Sequence, residues 1–424
     1  MRSFLKFFLL ISFFAFNDSF ILSASGGNAL SKNNNVSPEF LAKGKFLFLK
    51  FCAHCHGNRG RGDGFNAEFI DKDPAELSDP KFQAKRSNKK LFRVISLGGA
   101  KVKKSHLMPA FGHTLSEVEI WSLVAFIRYL GKDISSVAVP DNAKSERPLK
   151  PILTKEEILS FSNWFADKGK AKEQTDSGKI LVMNKKSCLG CHQLNHEGGR
   201  VGPSLNRSSF NYKPEWLYAW ISNPQNFNPD TKMPNLGLEP NEARAITSFL
   251  VSFQPEEEDD EFETPEGWKQ YLSGDGNPKR GEKIFNDSKG IANCSKCHLV
   301  KGQGGTVGPD LSFAGTSRTR EFLLESILKP SAVITHGYET IMILTKNRKL
   351  ITGIKKSEDD LGIDLVDKGG REIHIPREKI KKSKTQKIST MPGNFKDLLE
   401  AQDIIDVLAY LESLILPVIA SAEN

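Results

Sequence analysis

Three copies of one five-residue pattern, Cys-x-x-Cys-His, use every cysteine in this 424-residue chain. The copies are Cys52–His56, Cys188–His192 and Cys294–His298. Disulfides, zinc ribbons and redox-active dithiols also use closely spaced cysteines. None of these needs a histidine directly after the second cysteine, so the repetition of the whole pattern argues against all three.

The spacing predicts c-type haem attachment sites. One helical turn would bring both thiols to the two vinyl edges of a porphyrin, and the next residue would direct its imidazole at the iron. The sequence therefore predicts three covalently bound haem c groups. The predicted thioether residues are Cys52, Cys55, Cys188, Cys191, Cys294 and Cys297, and the predicted iron ligands are His56, His192 and His298. His54, inside the first motif, is expected to be exposed.

A second set of iron ligands is indicated by methionine–proline pairs. Three of the five methionines after Met1 precede a proline, namely Met108, Met233 and Met391, and each follows one haem motif. A methionine opposite the histidine leaves the iron with no open coordination position, which suits electron transfer. A proline stiffens the loop that holds the methionine. A second histidine is the alternative at the first site, where His106 and His113 flank Met108. Three further histidines lie outside the motifs: His196, His336 and His374. Met183 and Met342 are expected to pack in cores.

A backbone partner for two of the histidines is also predicted. Gly-Pro-x-Leu follows the second and third motifs at Gly202–Leu205 and Gly308–Leu311. A metal-bound histidine normally donates its other N–H to an acceptor. The carbonyl groups of Pro203 and Pro309 are the candidates, and the first repeat lacks this motif. Trp216 is expected to pack in a core, with a contact to a haem propionate as the alternative.

The chain length predicts about three domains, in agreement with three motifs. A glycine precedes each motif in a helical pattern, at Gly44, Gly178 and Gly281, and would let the first helix of a repeat cross closely over the last. The predicted fold class is mainly α, with three tandem helical domains. The predicted segments are a signal peptide at 1–25, domain 1 at 36–132, a linker with a helix at 133–167, domain 2 at 168–254, an acidic linker at 255–263 and domain 3 at 264–416.

The spacing of apolar residues changes at residues 338–381, within the third predicted domain. Short β-rich runs such as 340–345 and 362–366 alternate with turn-like segments. The sequence predicts a small antiparallel insert there.

The first 16 residues combine a charged start with a short apolar run, which predicts a secretory signal peptide. An exported, periplasmic location fits the haem chemistry, and an uncleaved membrane anchor is the alternative. The net charge of +8 favours acidic protein partners or anionic lipid. Haem propionates would offset much of this excess, so nucleic acid is not an expected partner.

Each repeat resembles a class I cytochrome c domain, with an N-terminal helix, the haem motif, a Met-Pro loop and a C-terminal helix. The third repeat is more specific. It resembles the haem-binding domain described from planctomycetes and verrucomicrobia, as in Pirellula and Verrucomicrobium. The residues that carry this resemblance are Gly304–Leu311, Leu324–Ala332, Gly337, Tyr338, Met391, Pro392 and Ala409–Leu411. The resemblance implies an electron-carrying module that is often fused to dehydrogenase domains.

The sequence thus predicts an exported multihaem cytochrome c that transfers single electrons between redox partner proteins and is not itself an enzyme. Two alternatives stay open. A di-haem-type peroxidase would need an iron with an open position, against which the three Met-Pro pairs argue. A haem c subunit of a larger dehydrogenase or oxidase complex has the same sequence features as a free carrier.

Overall fold

In each repeat, the helix that precedes the haem motif crosses the last helix of the same repeat at a glycine. The computed structural model describes residues 36–134, 137–148, 153–206, 212–252, 266–358 and 362–415. The predicted signal peptide and the acidic linker at 255–263 lie outside these ranges. A Cβ atom on Gly44 would overlap the carbonyl oxygen of Ser122, and Gly178 and Gly281 meet Ala245 and Asp406 in the same way. The predicted close crossing is confirmed in all three repeats.

The first repeat is helical. Its elements are α1 (Pro38–Phe51), α2 (Ala53–His56), α3 (Pro80–Ala84), α4 (Asn88–Lys101) and α5 (Glu117–Leu130). The side chain of Ser116 accepts from the backbone of Glu119 and the Glu119 carboxylate accepts in return, so a capping box fixes the start of α5. Leu47, Phe48 and Leu123 are fully buried where α1 meets α5.

The second repeat contains a helix from the predicted linker. Its elements are α6 (Lys155–Ala166), α7 (Lys168–Ile180), β1 (Gln193–Leu194), β2 (Glu197–Gly198), α8 (Pro214–Ser222) and α9 (Pro240–Ser252). Phe161 of α6 stacks on Tyr218 of α8, with ring centroids 4.2 Å apart. The earlier linker residues Val139 and Ala143 pack on the first core instead. The segment between the repeats is therefore divided between two cores.

The third repeat contains a β-sheet that is inserted in the chain between its helices. Its elements are α10 (Lys269–Leu272), α11 (Pro278–Asn286), β3 (Leu299–Val300), β4 (Gln303–Gly304), α12 (Ala314–Ser317), α13 (Arg320–Leu328), β5 (Thr340–Thr345), β6 (Leu350–Glu358), β7 (Gly362–Val366), β8 (Glu372–Pro376), β9 (Ile380–Thr385), α14 (Phe395–Leu398) and α15 (Ala401–Ser413). Strands β5 to β9 form an antiparallel sheet in the order β8-β7-β6-β5-β9. The antiparallel insert was predicted, but it ends at Thr385 rather than 381. Strand β9 was missed because it is an edge strand with exposed lysines and no apolar alternation.

The repeats pack directly on one another. The backbone N–H of Asn235 donates to the hydroxyl of Thr114 at 2.9 Å, which joins the first and second repeats. The ammonium of Lys213 donates to the carbonyl of Gly315 at 2.7 Å, which joins the second and third. The predicted fold class, mainly helical with small antiparallel sheets, is confirmed. Among the residues that the structure describes, no helix is long and apolar enough to cross a bilayer.

Candidate functional site

All three Cys-x-x-Cys-His motifs form a single helical turn. In each motif the backbone N–H of the histidine donates to the carbonyl of the first cysteine, at 2.9 Å for His56, 2.8 Å for His192 and 3.0 Å for His298. This bond closes one α-helical turn and brings the two thiols and the imidazole together. The first motif continues α1, whereas the other two form 3₁₀ turns after their first helices.

The thiols are in surroundings that keep them protonated. All six cysteines are partly buried, and none forms a disulfide. Burial raises the pKa of all six, to about 12 for Cys52 and Cys191 and about 11 for Cys188 and Cys294. A redox-active dithiol or a zinc ligand needs the thiolate, which a raised pKa disfavours. In the described ranges, no three His, Cys, Asp or Glu side chains form a group that could hold a metal ion.

Each motif histidine is oriented by a backbone carbonyl. The Nδ1 atoms of His192 and His298 lie 2.7 Å and 2.9 Å from the carbonyl oxygens of Pro203 and Pro309. A carbonyl oxygen can only accept, so Nδ1 carries the proton and Nε2 keeps a free lone pair. Burial lowers the pKa of these imidazoles and favours the neutral form that binds iron. Both predicted acceptors are confirmed.

The first repeat has the same arrangement with a different acceptor. Nδ1 of His56 lies 2.9 Å from the carbonyl oxygen of Ala75, and burial lowers the pKa of this imidazole too. The acceptor is 19 residues after the histidine, whereas Pro203 and Pro309 are 11 residues after theirs. Ala75 was not predicted, because the first repeat lacks the Gly-Pro-x-Leu motif. The shared signal is a leucine two residues after the acceptor, which is Leu77 here.

Two glycines leave room for the imidazole rings. A Cβ atom on Gly202 would lie 2.5 Å from Cε1 of His192, and one on Gly308 would lie 2.6 Å from Cε1 of His298. The glycine of Gly-Pro-x-Leu therefore lets the chain pass against the ring, while the backbone carbonyl of the following proline accepts a hydrogen bond from Nδ1.

Two cavities gather the predicted ligands of the first and second sites. Cys52, Cys55, His56 and Met108 line a cavity of about 290 Å³ in the first repeat. Cys188, Cys191, His192 and Met233 line a cavity of about 330 Å³ in the second. Both volumes are near the lower end of the range of cofactor sites, about 300–1,000 Å³. The apolar walls and the converging sulfur and nitrogen atoms fit a covalently bound haem.

In the third repeat, two of the predicted site residues pack against the same core. Cys294 and Met391 both pack against the core of the third repeat, formed largely by α11, α13 and α15. Cys297 packs with Val307, Ile354 and Val366, so the β-sheet covers the second thiol. The sheet therefore forms part of the wall of the third site. That the three methionines and three histidines bind iron stays a prediction.

Hydroxyl groups hold the methionine loops of the second and third sites. The backbone N–H of Met233 donates to the Thr231 hydroxyl at 3.2 Å, and that of Met391 donates to the Ser389 hydroxyl at 3.1 Å. In both loops the hydroxyl residue stands two positions before the methionine. The prolines that follow restrict the backbone on the other side.

The histidines outside the motifs occupy different places. Met108 lines the first cavity, whereas neither His106 nor His113 belongs to its lining. His336 of the third repeat lines the second cavity, with Nε2 donating to the carbonyl of Val201 at 3.0 Å. His374 lies 2.6 Å from a carboxylate oxygen of Asp364 on the β-sheet, and His196 is exposed. The geometry favours methionine at the first site.

The environments of His54 and of Trp220 differ from what the sequence alone indicates. The expectation that His54 is exposed is wrong, because the side chain is partly buried. Burial lowers its pKa to about 4, and the positive charge of Lys232 adds a smaller effect in the same direction. Trp220 of α8 donates its indole N–H to the sulfur of Met233 at 3.1 Å. Trp216, one turn earlier, is buried and also lines the second cavity. Local sequence gives no sign of these contacts, because each joins different elements of the folded chain.

Comparison with known proteins agrees with this geometry. Residues 41–131 and 176–254, the first and second repeats, match the cytochrome c family. This family implies covalently bound haem c and supports haem-based electron transfer. No curated protein matches the chain. A chain of the Kuenenia stuttgartiensis reducing HAO-like protein complex is similar at 18% identity and a TM-score of 0.19, over 52% of this chain and 97% of that chain. At this TM-score the similarity carries no argument.

Proposed function

We propose that this chain is an exported tri-haem cytochrome c that passes single electrons between redox partner proteins. The observation that carries the proposal is the convergence of both motif thiols, the motif histidine and one methionine on a single cavity, which occurs in the first and second repeats. The third repeat supports the same assignment, because Pro309 orients His298 while Cys294 and Met391 pack against one core.

Each side chain has a defined task in this proposal. The six cysteines would hold the haems as thioethers, and the Nε2 atoms of His56, His192 and His298 would bind iron. Met108, Met233 and Met391 would occupy the opposite positions. When bound, haem iron supplies reversible one-electron chemistry. The protein orients the ligands through the carbonyls of Ala75, Pro203 and Pro309, and its apolar walls exclude water.

An electron carrier is favoured over an enzyme by the methionines. A peroxidase needs an iron with an open or displaceable position, and a methionine in the same cavity as the thiols closes that position. The third repeat, with its β-sheet over Cys297, fits the planctomycete-type haem-binding domain and its electron-carrying role. We propose that the electron donor and acceptor are separate protein chains.

A visible spectrum combined with a redox titration tests this function. We expect a c-type spectrum, a long-wavelength Met–iron band in the oxidised protein, and one-electron steps from three haems. Rapid peroxide turnover by the purified protein, or carbon monoxide binding to the unaltered protein, would favour a peroxidase. Co-purification of one tightly bound partner would instead favour a subunit of a larger oxidoreductase complex.

A further inference from the structure

The first and second cavities share part of their walls. Cys191, which belongs to the second motif, lines both cavities, and so does Pro109, which follows the predicted ligand Met108 of the first site. The second attachment motif therefore lies directly behind the first cavity. A thioether formed by Cys191 would place an edge of the second haem at this shared wall.

One buried amide joins the two attachment motifs. Asn66 is fully buried, and its Nδ2 donates to the sulfur of Cys55 at 3.2 Å and to the carbonyl of Gly190 at 2.9 Å. Its Oδ1 accepts from the backbone N–H of Arg200 at 2.7 Å. Cys55 is a thioether residue of the first site, and Gly190 lies between the two thioether residues of the second. All the polar atoms of this side chain are used to hold one motif against the other.

The two motifs lie so close together that a side chain at either glycine of the contact would not fit between them. A Cβ atom on Gly190 would overlap the carbonyl oxygen of Leu107, and one on Gly199 would lie 2.8 Å from Oδ1 of Asn66. The guanidinium of Arg200 covers the ring of Phe69, 4.0 Å from its centroid, at the edge of the same contact. Glycines at the centre and a cation–π pair at the edge form a close-packed interface between the two motifs.

We propose that Asn66 is a positioning residue that locks the first two haem sites into one directly coupled pair, so that electrons exchange between them without passing through solvent or the third site. This inference rests on the proposed function, because it concerns haems at the first and second motifs. It goes further by naming the two sites that form the directly coupled pair, the first and the second.

Circular dichroism in the Soret region tests the pairing in the full-length haem-loaded protein. Two porphyrins held close together at a fixed angle couple their transitions and give a band with lobes of opposite sign. The unaltered protein should show this signal. The double variant C188A/C191A should lose it, whereas C294A/C297A should keep it. If C294A/C297A loses the signal and C188A/C191A keeps it, the assigned pair is wrong.

The variant N66A tests the amide itself. It should lose most of the two-signed signal while its haem content, measured in the same sample, equals that of the unaltered protein. N206A is the matched control, because the Asn206 side chain accepts from the backbone N–H of Asn195, and among the described residues it makes no bond to the first repeat. It should keep the signal. A full signal in N66A would overturn the role of Asn66.

The outcomes separate this inference from the proposed function. If the unaltered protein contains covalent haem but shows no two-signed signal, the coupled pair is wrong and the function stands. If it contains no covalent haem, the function is wrong. Should N66A fail to accumulate, G190A serves as the second variant, because its new methyl group must push Leu107 away from the second motif. It too should lose the signal, and a full signal in G190A would contradict the pairing.

Discussion

The indole N–H of Trp220 points at the sulfur of Met233, with Nε1 3.1 Å from Sδ. Sulfur is a weak acceptor, and a donor beside it withdraws electron density. If Met233 binds iron, this contact makes the sulfur a poorer electron donor and stabilises the reduced iron. One tryptophan on α8 would thus tune the potential of the second haem.

Replacing Trp220 with phenylalanine should therefore lower the reduction potential of the second haem. An aromatic ring, smaller than the indole, stays in place while the N–H donor is lost. A redox titration followed by visible absorption measures the shift. The control is W216F, because Trp216 stacks on Trp220 without donating to Met233. Equal shifts in both variants would contradict a specific effect of the N–H group on sulfur.

Substituting Gly178 with alanine should destabilise the second repeat. The new methyl group would overlap the carbonyl oxygen of Ala245, and overpacking of this kind costs about 1–3 kcal/mol. Helix propensity opposes this by about 1 kcal/mol. G169A, in the exposed first turn of the same helix, has room for a methyl group and should leave stability unchanged or raise it slightly. Denaturant unfolding measures both, and equal effects would show that the crossing is not close.

Asp406 should make the third repeat sensitive to acid. Its side chain is 1% exposed and accepts from the backbone of Asn277 at 2.8 Å, from Gln402 at 2.9 Å and from Arg280. Burial acts to raise the pKa of this carboxyl, but these donors outweigh it and hold the pKa below its ordinary value. The stabilisation is complete above the ordinary pKa of about 4 and is lost as pH falls through the lowered pKa.

The variant D406N should lose this acid-dependent part of the stability. At neutral pH it should also lower the free energy of unfolding by about 1–3 kcal/mol, since a hydrogen-bonded charge is removed. Unfolding curves between pH 3 and pH 7, a range of about four units around the ordinary carboxyl pKa, measure both effects. D403N removes a carboxylate that also bonds Arg280 but not Asn277, and it should cost less. An unchanged pH dependence in D406N would refute the assignment.

The variant M391A should open the third iron to external ligands. Met391 and Cys294 pack against the same core, and if Met391 binds the third iron, its loss would leave that iron without a sulfur ligand. Carbon monoxide should then bind to the reduced protein and shift its Soret band. M342A is the control, because Met342 lies on strand β5. Unchanged carbon monoxide binding in M391A would show that Met391 is not the ligand.

Most of the candidate site could be predicted from the sequence because its chemistry is local. Two thiols and a histidine within one turn, a methionine before a proline, and a carbonyl 11 residues after His192 or His298 are all set by short-range spacing. The structure places the acceptors Pro203 and Pro309 as expected. Ala75 was missed because the loop before it is longer.

The parts that could not be predicted depend on packing between distant segments. Asn66 bonds Gly190 and Arg200, which are 124 and 134 residues away, and nothing near Asn66 in the sequence signals this. Strand β9 was missed for a different reason. It takes its place by pairing with β5, and its exposed lysines give no alternating pattern. His54 was misjudged because it lies in the wall of the first cavity, where it is partly buried.

The central claim is that three haems are attached to the polypeptide through its cysteines. The most direct measurement is the intact mass of the mature protein, produced in a host competent for cytochrome maturation and stripped with acid-acetone. The account predicts a mass increase of three haems that survives extraction, and the loss of one haem in each of C52A/C55A, C188A/C191A and C294A/C297A. A colourless protein, or one whose colour is removed by the extraction, would contradict it.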